Sequence, residues 1–295
     1  MPQSDNLRGS ILMTASMAGF AVEDMFIKAA SKAMPLGQVL LTMGLVGVIT
    51  FGLLARAHGE AVAPRTFLSP AMLVRSAFEV VGRLFYGLSI ALTALSTTSA
   101  ILQATPLLVV AAAALIFGEK VGWQRWLAVI IGFVGVLIIL RPGVEGFSPL
   151  SWLAVVGLIG FAGRDLATRA APKGLSNRQL GILGFAMLGL AGALLLAWSG
   201  DAHVPDLRGL GLLTGASVFG ILGYHALTGA MRTGEVSVVT PFRYTRLIFA
   251  MILAIAIFGE RPDVATWVGA ALVVGSGIYT LTRSRARGSD MTSRG

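Results

Sequence analysis

The 295-residue sequence contains no cysteine. That excludes a disulfide-stapled scaffold and any thiolate metal centre or nucleophile. Charge is scarce as well. Asp, Glu, Lys and Arg make up 13% of the chain, about half the roughly 25% of a soluble domain. A chain that is 55% hydrophobic cannot cover a water-exposed surface with so few charges, and the same hydrophobicity excludes disorder. Histidine is limited to His58, His203 and His225, two of them in polar connections, too few for a His-based metal centre. The Gly-x-x-x-x-Gly-Lys-Ser/Thr phosphate loop is missing, and no stretch could fold as a soluble nucleotide domain. ATP drive within the chain is therefore not expected, and neither a cofactor nor a metal is implied.

What the sequence does have is long apolar runs. A hydrocarbon layer of roughly 30 Å takes about 20 apolar residues in a helix. Ten segments qualify, at 9–32, 35–57, 71–95, 97–117, 123–141, 149–170, 177–198, 209–232, 236–258 and 264–282. Short connections with Pro64, Pro70, Pro142, Pro172, Gly200, Pro205 and Pro262 separate them. The first span carries Glu23, Asp24 and Lys28 and exceeds a signal-peptide core, so it reads as a retained helix. The fold class is thus an all-α polytopic membrane protein.

The net charge of +9 then acts mainly as an orientation signal. With a cytoplasmic N-terminus, the inner loops and tails hold Arg8, Arg56, Arg65, Lys120, Arg125, Arg169, Lys173, Arg178, Arg232, Arg283, Arg285, Arg287 and Arg294. The outer side holds only Lys28, Lys32, Arg141, Arg208 and Arg261. The positive-inside rule puts both termini in the cytoplasm of a cell whose inner membrane the chain crosses many times. The basic tail 283–295 reads as topogenic and lipid-facing rather than as a nucleic-acid site. Trp123, Trp126, Trp152, Trp198 and Trp267 fall near span ends, as interfacial anchors do.

Sliding the chain on itself by 141 residues reveals a duplication. Residues 17–38 match 158–179 at eight positions, including Gly19/Gly160, Phe20/Phe161, Asp24/Asp165 and Lys32/Lys173. The same offset aligns Phe117-Gly118-Glu119 with Phe258-Gly259-Glu260, Trp126 with Trp267, and Ser76, Phe78 and Gly82 with Ser217, Phe219 and Gly223. Five spans per half place the second half upside down. The expected architecture is two inverted five-helix repeats, 1–141 and 142–282, as in many secondary transporters.

These residues carry a resemblance. Ten helices in two five-helix repeats, each with Phe-Gly-Glu after its fourth helix, resemble the drug/metabolite transporter superfamily of EamA type. The segment Pro241–Asp263 is similar to bacterial members near the YddG amino-acid exporters. The resemblance implies efflux of amino acids or related small metabolites and leaves the particular substrate open.

Nine charges fall within the spans: Glu23, Asp24, Arg75, Glu79, Arg83, Arg164, Asp165, Arg243 and Arg246. Each costs about 2.5–3.5 kcal/mol if it faces lipid unpaired at a helix centre. Pairing, snorkelling or an inward-facing cavity must relieve that cost. Asp24 with Lys28, and Asp165 with Arg169, repeat an i,i+4 spacing with the acid first. They read either as ion pairs that seat helix ends or as gating charges that exchange partners. Arg75, Glu79 and Arg83 form one stripe, read either as a structural bridge or as a path on which Arg83 meets a substrate carboxylate and Tyr86 lines the way. Arg243, Tyr244 and Arg246 follow Pro241, which predicts a kink. Tyr224, His225, Gln103 and Thr105 are the remaining polar candidates. Glu119 and Glu260 sit just before a helix and read as structural acids at its N-terminus. Most glycines should be packing contacts, with Gly211 and Gly215 at small-xxx-small spacing.

The expected substrate pathway is Arg83, Tyr86, Gln103, Tyr224, His225, Tyr244 and Arg246, with Asp24, Glu79 and Asp165 as gating or coupling acids. The expected partners are a small-molecule substrate and the lipid bilayer, with no nucleic acid and a monomer as the working unit. A solute channel is the alternative. An intramembrane enzyme is remote, because Gly275-Ser276-Gly277 is only a fragment of a serine-hydrolase motif.

Overall fold

The computed structural model describes residues 3–118, 122–141, 148–169, 174–200, 202–233 and 236–292. Glu119, Lys120 and Lys173, the side chains of Arg125, Arg169 and Arg232, and those of the tail lie outside the described residues. Among the described residues every regular element is helical: α1 (Gln3–Ala30), α2 (Leu36–Ala57), α3 (Pro70–Leu92), α4 (Leu95–Leu102), α5 (Thr105–Phe117), α6 (Trp123–Leu140), α7 (Trp152–Arg169), α8 (Asn177–Ser199), α9 (Leu207–Thr233), α10 (Val236–Val239), α11 (Thr245–Phe258) and α12 (Val264–Thr292), with short 3₁₀ turns between. Among the described residues, seven stretches are long and apolar enough to cross a bilayer, counting α4 and α5 as one, and two shorter apolar helices lie in α6 and α12. α3 has the length but carries Arg75, Glu79 and Arg83.

Two of the expected spans are broken. The fourth divides at Gln103-Ala104 into α4 and α5. The ninth divides into α10, a 3₁₀ turn at Thr240–Tyr244, and α11. Pro106 and Pro241 each stand in the first turn of the piece that follows, where a missing N–H is tolerated. The breaks fall at equivalent positions of the 141-residue duplication: Leu95 and Val236 open the two segments, and Phe117 and Phe258 close them. Both then end on a glycine in the left-handed region, Gly118 at φ 66° and Gly259 at φ 64°, where a Cβ would be strained.

The chain divides into two compact units. The first comprises residues 22–94 and 150–221. In it α2 packs on α8, α3 on α7, and the end of α1 on the start of α9. Glycines set these distances. A Cβ on Gly44 would sit 2.8 Å from the Phe185 carbonyl oxygen, and one on Gly160 would press into the backbone of Gly82. Gly215 makes room for Phe26, but Gly211 faces open space, so the expected Gly211/Gly215 pair is not a packing stripe. The spacing marks where a helix could approach and not whether one does.

Polar clamps hold both ends of α2 and α8. Gln38 Nε2 donates to the His203 carbonyl (2.7 Å), and Gln38 Oε1 accepts from His203 N (3.2 Å). Gln179, its repeat equivalent, donates to the Ala61 carbonyl (2.9 Å) and closes a capping box with Ser176. At that end Glu60 also accepts from Ser176 Oγ (2.6 Å) and pairs with Arg178. The Arg178 guanidinium and then the Ser176 hydroxyl hold the Glu60 carboxyl down at about 2.

The second unit comprises residues 1–21, 95–149 and 222–295. Here α6 packs on α12, with Gly135 against Gly269. Met13, Met17, Ala230 and Val239 form a small core. Glu260 does act at a helix N-terminus, but not that of the helix it precedes. Its carboxylate accepts from Leu95 N (2.8 Å), Ser96 N (3.0 Å) and Ser96 Oγ (2.7 Å), so it caps α4. α12 is capped instead by Asp263, which accepts from Thr266 N (2.8 Å) and pairs with Arg141.

Candidate functional site

Buried charge concentrates in the first unit, on the seam between α3 and α7. Glu79 lies at its centre with 1% of its side chain exposed. Arg75 and Arg83 flank it one turn away on either side, and Arg164 reaches it from α7. Arg83 Nε donates to Glu79 Oε1 (3.1 Å), and Arg164 Nη1 donates to the same oxygen (3.3 Å). Arg75 Nη2 stands 3.3 Å from Oε2, an ion pair without hydrogen-bond geometry. Arg75 Nε donates to Thr168 Oγ1 (3.1 Å). Arg164 spends Nε and Nη2 on Asp165 Oδ1 (2.9 and 2.8 Å). One carboxylate thus organises three guanidiniums, which is how such a charged group is held inside a membrane protein.

Phe161 forms the wall beside this cluster. The guanidinium carbon of Arg164 stands 4.9 Å, and that of Arg83 5.9 Å, from its ring centre, within cation–π range. Tyr86 meets the same ring edge-on at 5.7 Å. The Tyr86 hydroxyl donates to Asp24 Oδ2 on α1 (2.9 Å). Asp24 is 2% exposed. Lys28, its expected partner one turn on, donates to the Ile90 carbonyl (3.3 Å) and to that of Thr93, at the end of α3. A positive charge there complements the helix C-terminus. The structure therefore brings Asp24, Glu79, Arg83, Tyr86 and Asp165 into one contact chain. It adds Arg164 and Phe161, which sequence reasoning did not place in the site. Phe161 carried a signal, the Gly-Phe-Ala it shares with Gly19-Phe20-Ala21.

The other expected residues belong to the second unit. Gln103, at the break after α4, donates to the Arg243 carbonyl in the 3₁₀ turn of the other broken span (3.3 Å). Thr105 Oγ1 donates to the Leu102 carbonyl (2.6 Å). Tyr244 is buried against Gly277, and its hydroxyl has no partner among the described residues. Arg246 lies over Phe20, 5.3 Å from the ring centre. His225 is exposed on α9, and Tyr224 is half-buried. A groove of about 400 Å³ between α6 and α12 is lined by Trp123, Leu127, Ile131, Leu272 and Tyr279. With no charged lining residue among the described residues it offers little to a polar solute.

Several contacts recur in exchanged form under the 141-residue offset. Gly82 accommodates Phe161, and Gly223 accommodates Phe20. Gly135 meets Val273, and Gly132 meets Ser276. In both cases residue i of one half touches j of the other, and j's counterpart touches i's.

Comparison with known proteins gives three findings. A model of the EamA-like transporter family matches twice, at residues 7–141 and 148–282, the same 141-residue offset. The pseudopaline exporter of Pseudomonas aeruginosa is 27% identical over 90% of this chain and 93% of its own length. The S-adenosylmethionine uptake transporter of Rickettsia bellii is 30% identical over 66% of each chain, and the riboflavin transporter of Vibrio cholerae is 30% identical over 59% of this chain and 58% of its own. A solved crystal structure, 16% identical, superposes with a TM-score of 0.60 over 91% of this chain and 98% of its own, and so shares the fold.

Proposed function

The chain belongs to the EamA-like transporter family, a multi-pass membrane protein that carries small molecules, and we propose that it exports amino acids or related small amphipathic metabolites from the cytoplasm by alternating access. The observation that carries this reading is the pair of broken spans at equivalent positions of the two halves. Interrupted helices in corresponding places of a duplicated transporter are where unwound backbone meets substrate and coupling ions. The exchanged contacts support a two-fold relation between the halves 1–141 and 142–282. In this reading the halves are inverted and rock about a site near the midplane of the inner membrane, with both termini in the cytoplasm and a monomer as the working unit.

The pathway runs through Arg83, Tyr86, Gln103, Tyr224, His225, Tyr244 and Arg246. Asp24, Glu79 and Asp165 gate it or couple it to a cation gradient. Relatives named for uptake and for export both match, so direction rests on the resemblance to amino-acid exporters. The test is counterflow in proteoliposomes with a panel of labelled amino acids, with and without a proton gradient. Saturable, trans-stimulated exchange is expected. Flux linear in concentration would point to a channel, and no flux of any amino acid would remove the substrate class.

A further inference from the structure

The three arginines around Glu79 are spent differently. Arg164 commits Nε and Nη2 to Asp165 and Nη1 to Glu79. Arg75 commits Nε to Thr168 and Nη2 to Glu79. Arg83 commits only Nε, to Glu79, and lays its face toward Phe161. Its Nη1 and Nη2 meet no protein acceptor among the described residues, and a fifth of its side chain is exposed. From this we infer that Arg83 is the carboxylate receptor of the transporter. The inference rests on the proposed export of amino-acid-like solutes.

The geometry suits that role. A guanidinium fixed at Nε by one carboxylate and braced against a ring presents the planar edge of its two terminal nitrogens, the edge that a second carboxylate takes in bidentate fashion. Arg83 lies two residues past Val81, the middle of α3, the depth at which carriers of this kind bind. The group attached to the carboxylate then rests beside Phe161 and Tyr86, so the substrate is a free carboxylic acid on an apolar or amphipathic body. Among the described residues the device is not repeated in the other half. Under the offset Arg83 corresponds to Tyr224, Glu79 to Gly220 and Arg164 to Glu23, so the second half has no such fork and one carboxylate is bound per cycle.

The test uses the full chain in proteoliposomes, with exchange of labelled L-leucine, L-phenylalanine and L-methionine. Each is competed by its unlabelled self, its carboxamide and its phosphonate analogue. Wild type should prefer the acid over the carboxamide by about tenfold or more, the worth of a charge-assisted bidentate contact. R83Q should bring that ratio toward one. R83K, which keeps the charge but not the fork, should fall between and serves if R83Q folds poorly. R164Q should slow exchange yet keep the ratio, because Arg164 holds the cluster and not the substrate. An unchanged ratio in both R83Q and R83K, or an R164Q ratio that collapses equally, would overturn the assignment. Equal competition by the phosphonate would replace the carboxylate with a general anion. Wild-type exchange without acid preference defeats this inference alone, and no exchange of any of the three amino acids defeats the underlying reading.

Discussion

The α3–α7 seam and the α1–α9 seam occupy equivalent positions of the duplication, yet they treat buried charge in opposite ways. At the first, Glu79 faces Arg164 across the helices. At the second, the same two positions hold Gly220 and Glu23, and a Cβ on Gly220 would come within 2.8 Å of the Glu23 carboxylate. The acid has changed helices, and the positions of Arg75 and Arg83 hold Ala216 and Tyr224. Where a duplicated scaffold keeps a contact such as Gly82–Phe161 and Gly223–Phe20, packing demanded it. Where it diverges, as here, packing left the two seams free to hold different charges.

The difference can be broken most severely at Glu79. Glu79→Gln leaves three guanidiniums without their shared counter-charge, a loss of about 3–5 kcal/mol for a buried ion cluster. Most of the monodisperse protein recovered in detergent should disappear. A variant with the wild-type elution profile and melting temperature would show that other acids compensate. Tyr86→Phe should cost about 1.5–3 kcal/mol, the worth of a hydrogen bond to a charged group, by leaving Asp24 short of a donor. Leu227 holds the corresponding place in the second half, and Asp165 is served by its neighbour Arg164, so Leu227→Ala should show no comparable link to the acid in a double-mutant cycle with D165N.

Glycine substitutions sharpen the packing half of the comparison. Gly160→Ala drives a methyl into backbone, an overpacking cost of about 1–3 kcal/mol. Gly223→Ala meets the Phe20 ring at 3.0 Å and should lower the melting temperature less. Equal shifts would mean that Phe20 is as immovable as backbone. The smallest effect belongs to the clamps on α2 and α8. Because the folded-state Glu60 carboxyl titrates at about 2 against an ordinary 4.5, its stabilisation is fully present above pH 4.5 and is lost as pH falls toward 2. A melting-temperature profile should bend in that window for wild type and flatten in Glu60→Gln, whereas Gln38→Ala should shift it evenly at every pH.

Much of this could be seen in the sequence because a repeat at constant offset needs no three-dimensional information. The all-helical membrane class, the duplication and the charged stripe of Arg75, Glu79 and Arg83 follow from hydropathy and spacing. The break at Gln103-Ala104 falls outside that reading, although Pro106 carries the same signal that Pro241 carries in the ninth span. Arg164 was seen as an intramembrane charge but not as a partner of Glu79, because 85 positions separate them and only the fold closes that gap. Glu260 shows the same limit. Its role at a helix N-terminus was legible, but which helix it serves depends on who its neighbours are.

That cap also has a consequence in time. Leu95 and Ser96 emerge from the ribosome some 165 residues before the carboxylate that receives their N–H groups. Until Glu260 arrives, the head of α4 must be solvated by water or by the insertion machinery, because bare donors in hydrocarbon are costly. The first half therefore cannot mature alone. Its fourth span is finished by a residue from the end of the second half, so assembly of this transporter closes only once both halves have been made.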